Sequence, residues 1–250
     1  MQLDIKIPTE LKDIWLGTYQ DFLKVVENSN DDELIYNKMV QIFCGIELKD
    51  VLKIRWSDVQ HITVKINEAF QKKPEFKKTF KLQGIEFGFI PHLEDITFGE
   101  YIDLSNNIND MENFHKAMAV MYRPIIESRK DKYLIEPYVS SANYSEVMKY
   151  ATIDIALGAK VFFCDLQKQL LNNTLLFLQK EIRQMKNKKI SVAEEYLPNN
   201  GAGTQVSMQS LMVTLQNLAR SQSYHYGSVL PSYLLKSKKE ILSIMNSKNN

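Results

Sequence analysis

The sequence predicts a mainly α protein of the α+β class, a helical bundle carrying one small antiparallel sheet. Three observations predict it. Apolar residues recur at helical spacing along most of the chain, as in Leu11, Ile14, Trp15, Tyr19, Phe22, Leu23 and Val26. Period-two alternation is confined to two places, residues 3–7 and residues 77–90. Residues 154–186 contain no proline and one glycine, Gly158, which predicts a long helix.

Each element has a local reason. Leu3-Asp4-Ile5-Lys6-Ile7 alternates as a short strand, and Pro8 ends it by removing a ladder donor. Thr9 is placed to cap the helix that follows, and Asn28-Ser29-Asn30 breaks it. A second helix covers residues 32–43 and stops before Gly45, followed by a helical turn over 48–53. Ser57 caps a helix over 58–70 that packs Val59, Ile62, Ile66 and Phe70. Residues 76–82 and 85–90 flank Gln83-Gly84, a turn signal, and so predict a hairpin. A lone hairpin is marginal in water, so the N-terminal strand is its expected third partner.

Further on, Thr97-Phe98-Gly99-Glu100 has capping-box spacing and opens a helix. Residues 111–121 form the next, with Phe114, Met118 and Met121 on one side, and Pro124 and residues 133–138 mark an irregular crossing. The helix over about 154–186 spans ~50 Å if continuous. Its apolar residues, among them Phe162, Leu166, Leu170, Leu175 and Leu178, are wide enough to bury on more than one side, as in a bundle spine or an oligomer contact. Pro198-Asn199-Asn200-Gly201 opens a connector, after which helices are expected over 206–221 and 233–245. The chain then divides into an N-terminal helical region with the sheet, 1–145, and a C-terminal helical region, 146–250, packed as one unit.

Charge and cysteine usage narrow the functional classes. The 250 residues carry a net charge of +1, but residues 183–250 hold nine Lys/Arg against three Asp/Glu, leaving −5 on the rest. A basic third can serve nucleic acid. Its tyrosines are not interleaved with the basic clusters as a base-stacking groove requires, so nucleic-acid binding is possible but not favoured. Cys44 and Cys164 lie inside apolar helical patterns, which reads as buried free thiols and synthesis in a reducing compartment. No apolar stretch is long enough to span a bilayer.

Catalytic and metal-binding patterns are sparse along the sequence. His61, His92, His115 and His225 have no metal-ligand spacing to one another or to a cysteine. Gly201-Ala202-Gly203-Thr204 lacks the Lys a phosphate loop needs. Glu100 and Asp103 are the carboxylates through which a hydrolase would work, but both sit at a helix start, where a negative charge is favourable without catalysis. The reading is no enzyme, no catalytic residue, no cofactor and no metal. Phe162, Leu170, Phe177, Tyr224 and Tyr226 are the candidate protein-interface residues, as apolar or aromatic anchors.

Several segments carry a resemblance. These are Phe80-Lys81-Leu82-Gln83-Gly84-Ile85 running into Thr97-Phe98-Gly99-Glu100-Tyr101-Ile102-Asp103, then Met121-Tyr122-Arg123-Pro124, Ile135-Glu136-Pro137-Tyr138 and Ala156-Leu157-Gly158-Ala159-Lys160. Their order, with the opening Ile5-Lys6-Ile7-Pro8-Thr9, resembles small proteins of the virion and tail region in tailed bacteriophages of Bacteroidetes, crAss-like phages included. The match runs to about Lys180. The resemblance implies a virion component or packaged cargo protein, made in the host bacterial cytoplasm and present in multiple copies. Its implied partners are other virion proteins of the tail, the portal region or the capsid interior. The alternative is a tail-assembly chaperone absent from the mature particle. It implies no catalytic residues.

Overall fold

In the computed structural model the described residues are 5–27, 29, 31–130, 132–189, 212–214 and 230–247. The fold is mainly α with a small antiparallel sheet. The chain divides into two compact units, one of Met1–Lys160 with Leu230–Asn250, the other Val161–Val229.

The first unit is built on α1 (Leu16–Val26), α2 (Asp32–Phe43) and α4 (Trp56–Phe70), with the single turn α3 (Leu48–Val51) between the last two. Their facing sides are aromatic. Phe22 meets Phe43 at 4.8 Å between ring centroids, and Phe70 meets Phe43 and Tyr19 at 5.8 and 5.7 Å. Tilted pairs of this kind add to the free energy of plain burial. The last helix, α9 (Lys238–Ser247), returns to this core: Ile241 is fully buried, Lys236 pairs with Asp32 at 2.8 Å, and Tyr233 packs edge-on against Phe22.

Trp15 ends the predicted first helix early on its N-terminal side. Residues 11–13 form a 3-10 turn, Trp15 bridges Thr152, and α1 begins only at Leu16. The amides of Leu16 and Gly17 donate to the carbonyls of Ala151 and Lys149 at 2.8 and 2.7 Å, and that of Ile153 to Ile14 at 2.8 Å. Remote backbone therefore satisfies the free donors of the helix start. Gly17 permits the approach, since a Cβ there stands 3.1 Å from Lys149.

The sheet corrects one expectation. Among the described residues, 5–9 form no strand, and the strand Tyr122–Arg129 takes the place beside the hairpin expected of the N-terminal strand; Leu3 and Asp4, the start of that expected strand, lie outside the described residues. The hairpin itself is β1 (Thr79–Leu82) and β2 (Ile85–Phe89), closed by Gln83 and Gly84 at φ 50 and 83, the paired positive φ values that match strand twist. Its neighbour is β3 (Tyr122–Arg129), followed by β4 (Lys132–Ile135), in the order β1-β2-β3-β4. Both strands occupy the stretch read as an irregular crossing. Pro124 is tolerated in β3 opposite Phe87, and a bulge between Ile125 and Glu127 shifts the register to β4. Tyr122 packs between Phe80 and Phe89 at 5.0 and 5.2 Å.

Three helices close this unit: α5 (Phe98–Asn107), α6 (Phe114–Met121) and the turn α7 (Ser145–Met148). The long helix α8 runs from Ile153 to Lys189, and its first residues belong to this unit. Gly158 lies against the backbone of Glu75, where a Cβ would be 2.5 Å from the carbonyl oxygen.

In the second unit α8 buries Leu178 and Ile182 on one side and leaves Leu176 and Phe177 outside. The helix predicted over 206–221 lies outside the described residues, apart from residues 212–214, which are helical.

Candidate functional site

Three segments separated in sequence converge on one polar network, buried at its centre. Thr97 caps α5 and accepts from the Glu100 amide, while Glu100 returns Oε2 to the Thr97 amide at 2.6 Å. The other oxygen of Glu100 meets Arg123 Nη2 at 2.7 Å, with the two residues 4% and 7% exposed. Tyr138 lies over Arg123, its ring centroid 5.5 Å from the guanidinium carbon. Its hydroxyl donates to Asp103 on the next turn of α5.

Each member is held by more than one contact, which is what a buried charge needs. Burial first, and Asp103 second, push the Tyr138 hydroxyl up to about 12, so it stays a donor. The same hydrogen bond, with help from Ser141, holds the Asp103 carboxyl below its ordinary value. The two carboxylates through which a hydrolase would act are thus committed, Glu100 to Arg123 and the helix cap, Asp103 to Tyr138. Arg123 is less complete. Its Nε and Nη1 are buried and find no acceptor among the described residues.

The network pins α5 and thereby presents its outer face. Phe98, Tyr101 and Ile102 stand at i, i+3 and i+4 and are 77%, 57% and 40% exposed. Val139, beside Tyr138, is also exposed. Aromatic side chains left in water together, on a helix held by buried charge, are features of a recognition surface.

The residues predicted as interface anchors do not gather there. Phe162 is half-buried and packs edge-on against Phe163 at 6.0 Å. Phe177 is 59% exposed. The two lie roughly 22 Å apart along the helix at its usual rise and form no single patch. Leu170 belongs to α8, but its side chain, like Tyr224 and Tyr226, lies outside the described residues.

Other chemistry is sparse. His115 is buried, and its Nδ1 lies 3.1 Å from the Gln20 amide nitrogen. Among the described residues no group of three His, Cys, Asp or Glu is placed to hold a metal ion, and no helix is long and apolar enough to cross a membrane. Burial pushes the Cys44 thiol up to about 11. Near it a groove of about 230 Å3 opens between residues 6–18 and the end of α2, with exposed Trp15 on its wall.

Arg123 and Tyr138 went unassigned from the sequence, although both lie in segments that carry the resemblance. The missing information was the pairing of β3 beside the hairpin, which no local pattern announces.

The chain matches no known family profile and no solved structure. It is 26% identical over 185 residues to the probable polyketide synthase 3 of Dictyostelium discoideum, a match that covers 71% of this chain and 6% of that protein. This similarity corrects the expectation that the chain is no enzyme: the relative is, by its name, a synthase. That expectation rested on finding no catalytic pattern along the chain, and catalytic groups are often assembled from residues remote in sequence.

Proposed function

We propose that the chain is a component of a tailed-phage particle, or of the machinery that assembles one, and that it docks through the outer face of α5. One observation carries the reading. Three of the segments through which the chain resembles phage virion-region proteins, Thr97–Asp103, Tyr122–Pro124 and Glu136–Tyr138, are joined by Glu100, Arg123, Tyr138 and Asp103. A shared pattern that builds one network beneath an exposed aromatic face is best understood as preserving that face. Its partners are then other virion proteins, and its place is the virion after synthesis in the host cytoplasm.

Mass spectrometry of purified particles and of their assembly intermediates tests this. Many copies per particle support a structural or cargo role. Presence in intermediates alone supports a tail-assembly chaperone. Absence from both overturns the reading.

The 26% identity to a polyketide synthase favours a second reading, in which the chain is related to a segment of a synthase. The chain spans only 6% of that relative's length. The coding neighbourhood separates the two: tail and portal genes support the first reading, synthase genes the second.

A further inference from the structure

Two exposed apolar surfaces of this chain carry opposite charge. Residues 82–115, which surround α5, hold seven carboxylates and no Lys or Arg. One of the seven, Glu100, is neutralised by Arg123, while Asp95 and Asp110 are exposed. Within this acidic setting stand Phe98, Tyr101 and Ile102. The distal part of α8 is the reverse. Residues 175–189 hold five Lys/Arg against the single acid Glu181, and Leu176 and Phe177 are 63% and 59% exposed, with Lys180 and Arg183 in solvent beside them.

We propose that the α5 face of one copy binds the distal part of α8 of a second copy. Leu176 and Phe177 pack against Phe98, Tyr101 and Ile102, and Lys180 and Arg183 face the carboxylates that rim α5. The proposal deepens the reading of α5 as a docking face by naming its occupant, and it rests on that reading.

Charge decides the symmetry. Two α5 faces meeting each other would oppose two acidic rims, and two α8 ends would oppose two basic ones. Joining the unlike surfaces removes both penalties and buries both sets of exposed apolar side chains. Such a contact is heterologous, so each copy keeps one free half and association continues into rings or open chains.

Sedimentation velocity on the purified full chain tests the proposal. The wild type should associate with rising concentration, and less so at high salt, because exposed charge pairs are screened. The variants Phe98→Asp/Tyr101→Asp and Leu176→Asp/Phe177→Asp should each be folded by circular dichroism and monomeric. Mixed in equal amounts they should form a heterodimer and nothing larger, since each retains one intact half. A wild type that stays monomeric at every concentration overturns the proposal, as does either variant associating like the wild type or a mixture that stays monomeric. Should a double variant misfold, Asp95→Lys and Arg183→Glu replace it: each alone should weaken association, and equal behaviour to the wild type refutes the pairing. Self-association without any presence in particles would leave this contact standing and remove the phage reading.

Discussion

Arg123 and Glu100 meet at 2.7 Å with both side chains almost fully buried, so β3 and α5 are joined by a charge pair that water scarcely reaches. Removing one partner strands the other charge. Arg123→Met should therefore destabilise the protein by about 3–5 kcal/mol. The double replacement Glu100→Met/Arg123→Met should cost less than Arg123→Met alone, because no charge is left buried. Urea unfolding of the three proteins checks this, and equal or greater loss in the double variant would sink the idea.

Tyr138→Phe should remove the donor that does most to hold the Asp103 carboxyl below its ordinary value. A carboxyl lowered in the fold contributes stability that is present above its unfolded value and lost as pH falls through the folded one. The variant should thus lose stability at neutral pH and show a shallower acid loss below about pH 4. The Asp103 carboxyl, followed by NMR titration, should move up towards its ordinary value.

His115 should make the fold acid-sensitive in a higher window. Its Nδ1 faces the Gln20 amide nitrogen, which also donates to the Met111 carbonyl at 2.9 Å, so Nδ1 accepts and cannot take a proton without losing that contact. Burial first, then the nearby Lys149, lower its pKa from 6.5. The neutral ring is thus favoured in the fold, and stability present above pH 6.5 declines as pH falls below it. Melting temperature measured from pH 8 to about 5 should fall for the wild type, and His115→Gln should flatten that fall.

Two glycines in helices should respond with opposite sign to alanine. At Gly158 the new Cβ lies 2.5 Å from the Glu75 carbonyl oxygen, so overpacking of about 1–3 kcal/mol should outweigh the better helix propensity. At Gly99 the nearest atom is a Tyr138 ring carbon at 3.7 Å, an ordinary contact, so Gly99→Ala should stabilise by up to about 1 kcal/mol. Thermal melts of the two single variants decide it.

Within the second unit, neighbouring residues should also diverge. Leu178→Asp places a charge at a position 6% exposed and should cost several kcal/mol, whereas Phe177→Glu, in solvent, should leave α8 folded. Amide exchange along α8 distinguishes them, and equal protection in both variants would contradict the assignment of faces.

The sequence by itself determined what short-range chemistry controls. The helical spacing of α1, α2 and α4, the capping box at Thr97 and Glu100, the Gln83-Gly84 turn and the long run of α8 are each written in residues that are neighbours along the chain, because caps, turns and periodicity are local. The tertiary structure alone decided what depends on partners remote in the chain. Residues 5–7 belong to a stretch that alternates like a strand, yet they form none: alternation is a local pattern, whereas pairing depends on what the rest of the chain brings alongside, and Tyr122–Arg129 is the strand laid beside β2. Trp15 interrupts a periodic helix because Thr152 draws it into a bridge. Arg123 and Tyr138 become one network with Glu100 and Asp103 only after β3 is laid beside β2, since a guanidinium and a carboxylate attract over a few ångströms of space regardless of how much chain lies between them.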